Sequence, residues 1–148
     1  MPTYTVRTAN LALTEDQKER IAAAITAAHN AHTGAPAYFA QVIFDPLDAG
    51  SHFLGGKPNP TPHVFVQGLI RSGRAVEVKA GLIQQIVEQV SAVAGLSTED
   101  VWVYLQDIAA TQMVEFGRFL PQPGAEDEWR KGFSSQKLAS MARAGIKV

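Results

Sequence analysis

From Thr3 to Thr8 apolar and polar side chains alternate, the two-residue period of a strand with one buried face. The period then lengthens: Ile21, Ile25, Ala28 and His32 recur at helical spacing and predict a helix with one stripe toward a core. Ahead of it "LTEDQ" supplies a capping box, with Thr14 as N-cap and Gln17 reaching back, and Gly34 marks the helix end. "FAQVIFD" is the next strand. About 61 positions further on the pattern repeats, so that Gly34 falls on Gly95, Ile25 on Ile86, Ile21 on Leu82, Lys18 on Lys79 and Val42 on Val103. There "HVFVQGLI" is a strand, Val76 to Ala94 a helix, "STED" a turn, and "VWVYLQ" a strand with Trp102 and Tyr104 on one face. The second helix carries a broad stripe of Leu82, Ile83, Ile86, Val87, Val90 and Val93, which predicts deep burial.

Each β-α-β unit has the connecting length of a right-handed crossover between parallel strands. Two units predict an α+β, two-layer fold: a four-stranded sheet with both helices on one face. The repeat occupies 2–60 and 63–120 of one domain spanning 1–148, and the turn-rich "GGKPNPTP" links its halves. The other sheet face is left apolar and needs covering, which points to an oligomer. Beyond Gln106 the repeat is lost. "FGRFLPQPG" predicts a short hairpin or arm, and the 121–148 extension offers one or two weakly amphipathic helical turns from Glu126, with no functional reading.

Composition narrows the chemistry. With 148 residues, 46% hydrophobic and 18% charged, the chain is long and apolar enough for one well-cored domain. A net charge of -1 argues against nucleic acid or an anionic membrane surface as partner. The absence of cysteine removes thiol nucleophiles and thiolate-held metals. No apolar run approaches the roughly 20 residues of a membrane span, and the N-terminus lacks a signal-peptide core, so a cytoplasmic protein is expected. His29, His32, His52 and His63 lack carboxylates at ligand spacing, so no metal site is expected; no cofactor is expected either.

What remains is a small set of polar groups. "RSGR" puts Arg71 and Arg74 in the turn entering the second helix, where they oppose the macrodipole and where an anion such as a carboxylate suits both arginines and helix. The plainer alternative is two solvated arginines. His29 lies on or beside the first helix's stripe, a place more often held by a hydrogen-bonded core histidine than by a catalyst. Glu115, among apolar neighbours, has the setting of a general base, or else pairs with Arg118 on an exposed hairpin. Tyr104 is by default a core aromatic. Pro2, once Met1 is removed, carries a secondary amine.

Together these residues resemble the tautomerase superfamily, whose members use an N-terminal proline on paired β-α-β units, and more narrowly the cis-3-chloroacrylic acid dehalogenase family. The resemblance runs from Pro2 to about Gly124, on "AITAAH", "AQVIF", "FLGG", "RSGR", "VWVY" and above all "QMVEFGRFLPQPG". It implies a homotrimer with a site near each Pro2 and a small unsaturated or 2-oxo acid as substrate. It also implies roles: Arg71 and Arg74, helped by His29, hold the substrate carboxylate; Glu115, oriented with Tyr104, activates water; protonated Pro2 delivers a proton. The chain departs from the family at Gln67 and Ile70, where the dehalogenase carries histidines, at Phe116, usually a tyrosine, and in the linker. Three functions stay open: a hydratase-dehalogenase of 3-haloacrylates, a keto-enol tautomerase using Pro2 as a neutral base, and a binding protein that retains the pocket. A free α-amino group has a reference pKa of about 8; Arg71 and Arg74 favour its neutral form and Glu115 its cation.

Overall fold

The computed structural model describes residues 2–148, so the expected removal of Met1 lies outside the described residues. Strand β1 (Thr3–Ala9) turns Tyr4, Val6 and Thr8 inward. Helix α1 (Glu15–Thr33) opens with the expected box: the Gln17 N–H donates to the Thr14 hydroxyl and the Thr14 N–H to the Gln17 side chain. It ends at Gly34, whose φ of 69° is the left-handed turn glycine makes at no steric cost. The buried stripe is Ile21, Ile25, Ala28 and His29, not one running through His32. Tyr4 draws His29 inward, whereas half-buried His32 packs on Gly81 and bonds Gln85 on the neighbouring helix.

Strand β2 (Gln41–Pro46) lies parallel to β1. The linker folds back as a small hairpin of β3 (Phe53–Leu54) and β4 (Lys57–Pro58). Strand β5 (His63–Arg71) runs antiparallel to β1, helix α2 (Val76–Ala94) crosses over, and β6 (Val101–Ile108) returns parallel to β5. The sheet order is β2-β1-β5-β6. Both helices cover one face, where Ile21, Ile25, Leu82, Ile86 and Val90 pack on Tyr4, Val6, Val64, Val66 and Ile70. Each fully buried aliphatic contributes roughly 1.5–3 kcal/mol relative to exposure, which makes this layer the main source of stability. The α+β two-layer arrangement is therefore as the repeat predicts.

The other face carries the in-register rows Asp45–Arg7–Phe65–Trp102 and Ile43–Thr5–Gln67–Tyr104. On it Ile43, Trp102 and Tyr104 are 44%, 40% and 59% exposed. Tyr104 is thus not a core aromatic: strand alternation turns it away from the helices, and its ring meets Phe65 edge-on at 5.1 Å.

The C-terminal segment is more structured than its pattern suggests. A hairpin of β7 (Val114–Glu115) and β8 (Arg118–Phe119) leads to α3 (Glu126–Arg130) and to α4 (Ser135–Arg143), the latter capped by Ser134. Trp129 is buried against Phe39, Ala110 and Leu120, forming a second apolar cluster. The tail's apolar residues are sparse because most of this cluster is supplied by distant segments.

Candidate active site

Sheet topology gathers the candidates at one end. Because β1 and β5 are antiparallel, the start of β1, with Pro2 before it, lies beside the end of β5, with Arg71. The C-terminal turns of α1 and the N-terminus of α2 fall at the same end, bringing His29 and Arg74. Pro2 is buried, and its carbonyl accepts the Gln41 N–H at 3.0 Å.

His29 is set by Tyr4. The Tyr4 ring lies across Gly68, where a β-carbon would stand 2.6 Å from Tyr4 Cε1 and 2.5 Å from Leu105 Cδ2. The absent side chain lets the Tyr4 hydroxyl reach His29 Nδ1 at 2.8 Å. Burial pushes the Tyr4 hydroxyl pKa well above its usual value, so it stays protonated. Burial first, then the positive charges of Arg74, the amino terminus and Arg71, lower the His29 pKa to about 4. The imidazole is therefore neutral at pH 7. If Nδ1 donated, the buried Tyr4 O–H would lack an acceptor, at a cost of roughly 1–3 kcal/mol. Tyr4 is the donor, and His29 carries its proton on Nε2.

Arg71 is buried and held from the C-terminal segment. Its Nη1 donates to the Pro121 carbonyl at 2.6 Å and its Nη2 to Glu126 Oε1 at 2.5 Å, while its Nε has no partner. The anion that the arginine turn calls for is thus supplied, for Arg71, by the chain itself. Burial opposes ionisation of Glu126, but the Arg71 bond and the Gly124 N–H outweigh it and hold the carboxyl below the usual range. Arg74 is half-buried and stays cationic, its pKa lowered by burial and by Arg71. It stands just before α2, whose N-cap Ala75 offers no side-chain acceptor, so this end of the helix has no side-chain cap.

Glu115 sits on a tight hairpin turn in which Phe116 and Gly117 both take positive φ, 53° and 77°. It is half-buried, not exposed. Burial raises its pKa, against the charges of the amino terminus and Arg71. It lines a cavity of about 640 Å³ with Thr3, Tyr38, Gln41, Met113 and Phe116. Pro2 is one residue from this wall. Tyr104 is elsewhere: with Arg7, His52, His63 and Trp102 it lines a second cavity, of about 270 Å³, on the helix-free face. Within one chain the structure brings together Pro2, His29, Arg71, Arg74 and Glu115, and leaves Tyr104 apart. Among the described residues no three His, Asp or Glu side chains converge as metal ligands.

Two residues at this site, Tyr4 and Glu126, are not among those the sequence pattern singles out. Tyr4 carries a signal in hindsight, an inward aromatic on a strand whose neighbour contains a glycine. Glu126 carries none, being 55 residues from Arg71 in a tail of only weak amphipathicity.

Residues 1–133 match the family described as "Putative oxalocrotonate tautomerase enzyme". The chain belongs to this tautomerase family. Within it, the chain is similar to N1, a member of the cis-3-chloroacrylic acid dehalogenase family, at 35% identity and a TM-score of 0.86, over 95% of this chain and 99% of that one. It thereby joins the dehalogenase branch that its motifs resemble. The native form of Ps01740 is 32% identical with a TM-score of 0.71, over 76% of this chain and 99% of that one. A fused 4-OT, described as a symmetric trimer, is 26% identical with a TM-score of 0.73, over 82% of this chain and 97% of its own. No curated protein matches. No described helix is long and apolar enough to cross a membrane.

Proposed function

We propose that this tautomerase-family chain adds water to an α,β-unsaturated acid, and that with a halogen on the β-carbon it acts as a cis-3-haloacrylate dehalogenase. The observation that carries the reading is the half-buried carboxylate of Glu115 in a cavity whose wall adjoins Pro2, with His29, Arg71 and Arg74 at the same end of the sheet. Arg74, the Nε of Arg71 and the Nε2–H of His29 hold and polarise the substrate carboxylate. Glu115 takes a proton from water as its oxygen bonds to the β-carbon, and the Pro2 ammonium gives a proton to the α-carbon. The resulting halohydrin loses HX and leaves malonate semialdehyde.

The Arg71–Glu126 pair favours this reading over ketonisation by a neutral Pro2. Glu126 balances one of the two arginine charges that would otherwise drive the amine toward its neutral form. The fused 4-OT relative is a trimer, and the helix-free face fits the same assembly here. Tyr104 lies apart from the Glu115 cavity of its own chain, so on this reading its contribution comes from a neighbouring copy.

The test is a panel of cis- and trans-3-haloacrylates, alkynoates and enol-pyruvates, using protein whose mass shows Met1 removed. Halide release from the cis isomer is expected, falling at least ~100-fold in Pro2→Ala and in Glu115→Gln, the usual minimum for losing a general acid or base. Undiminished halide release from Pro2→Ala sinks the reading. Ketonisation without halide release assigns the site to the tautomerase alternative.

A further inference from the structure

The C-terminal segment, silent in the sequence, touches the site at a place the reaction depends on. We infer that Glu126 is a positioning residue: its carboxylate holds the Arg71 guanidinium in the orientation that leaves Nε–H for the substrate carboxylate. The inference rests on the proposed reading of Arg71 as a carboxylate ligand.

The Arg71 side chain is 2% exposed and that of Glu126 15%, so this pair is shielded from solvent. Glu126 is itself fixed, since its second oxygen accepts the Gly124 N–H at 2.8 Å. Pro121 and Glu126 each take one proton of the guanidinium, on different terminal nitrogens, which sets both the position and the plane of the group. A bridge that served charge balance alone would leave the remaining donors free to find partners. Instead the Nε–H is buried and unpartnered, a cost of roughly 1–3 kcal/mol that a bound carboxylate removes.

The helix that carries Glu126 is also tied to the hairpin that carries Glu115. The Trp129 indole N–H donates to the Phe119 carbonyl at 2.7 Å, and Arg118 Nη1 donates to the Trp129 carbonyl at 2.6 Å. Gly132 leaves the space that the Arg118 guanidinium occupies, for a β-carbon there would fall 1.7 Å from its Nη1. The group that grips the carboxylate and the group that activates water are thus registered against one another through α3. Misplacement of about 1 Å between such groups can cost ~100-fold in rate.

The test measures binding and turnover separately on the full chain. The ligand is 3-chloropropionate, a saturated acid with no double bond to hydrate, titrated by NMR into wild type, Arg71→Ala, Glu126→Gln and Glu126→Asp. Glu126→Asp decides: it keeps the negative charge but draws it back by one methylene, so a purely charge-balancing role predicts wild-type behaviour. Positioning predicts at least ~10-fold weaker binding in Arg71→Ala, Glu126→Gln and Glu126→Asp, matched in turnover by a raised KM and, because Arg71 also polarises the carboxylate, by a lower kcat. Wild-type binding and KM in Glu126→Asp overturn the inference, and the Asp variant serves even if Glu126→Gln fails to fold. Weak binding in Arg71→Ala with unchanged binding in both Glu126 variants overturns the positioning role alone. Unchanged binding in Arg71→Ala overturns both it and the carboxylate role of Arg71.

Discussion

His29 shows how much a single contact decides. A histidine on an apolar stripe is ordinarily a core residue, and this one is: buried, neutral and bonded to Tyr4. The same bond leaves its proton on Nε2, so the core contact also prepares a donor. The pH consequence follows from its depressed pKa, about 4 against an ordinary 6.5. Between those values the unfolded chain binds more protons at this position than the folded one, so stability rises with pH across the window. The His29 contribution is complete above about pH 6.5 and is lost as pH falls toward 4, about 3 kcal/mol at most. His63, also lowered by burial and by His52, adds a slope of the same sign. Denaturant unfolding from pH 7.5 to 4 in wild type and His29→Gln separates the two: the variant should show the shallower loss. Equal slopes would mean that His29 does not titrate in this window.

At the level of elements, the site depends on places where side chains are missing or turns are tight. Gly68 sits in mid-strand, normally a weakness, and here makes room for the Tyr4 ring. Gly68→Ala forces Tyr4 and Leu105 apart in a packed layer; a loss of roughly 1–3 kcal/mol in chemical denaturation is expected, the range for overpacking. The displaced hydroxyl should also weaken carboxylate binding, since His29 loses the partner that fixes its tautomer. A Gly68→Ala protein of wild-type stability would contradict the close approach seen here. The Glu115 hairpin makes the opposite use of conformation. Phe116 accepts a left-handed backbone that costs a non-glycine residue roughly 1–2 kcal/mol, and its ring packs on Phe133 at 5.0 Å. The turn that aims Glu115 is therefore stabilised by the C-terminal segment.

For the whole molecule, the decisive surface is the sheet face that both helices leave uncovered. Its exposed Ile43, Trp102 and Tyr104 share that face with Arg7, Thr5 and Gln67, a mixture suited to a partner surface. If three copies associate there, Trp102→Arg places an unpaired charge in the contact. Sedimentation should then show a trimer for wild type and smaller species for the variant, with the activity of the variant falling along with assembly. A monomeric wild type with full activity would show that Tyr104 is not needed from a second copy.

The local rules of the chain determined the two repeats, their caps and their order. The capping box at Thr14, the left-handed ends at Gly34 and Gly95, and the alternation of β1 and β5 depend on neighbours within a few residues, so they are legible in one dimension. The candidates Pro2, His29, Arg71, Arg74 and Glu115 were legible too, through motif resemblance, as residue types in the right order. Tertiary structure alone decided how they are arranged. It placed Tyr104 on the solvent side, because strand alternation says that faces differ but not which one the helices will cover. It set Tyr4 on His29 across Gly68, and Glu126 on Arg71 from a tail whose weak amphipathicity names no partner. Those contacts join residues far apart in sequence, and nothing local encodes a partner that only folding brings within hydrogen-bonding distance.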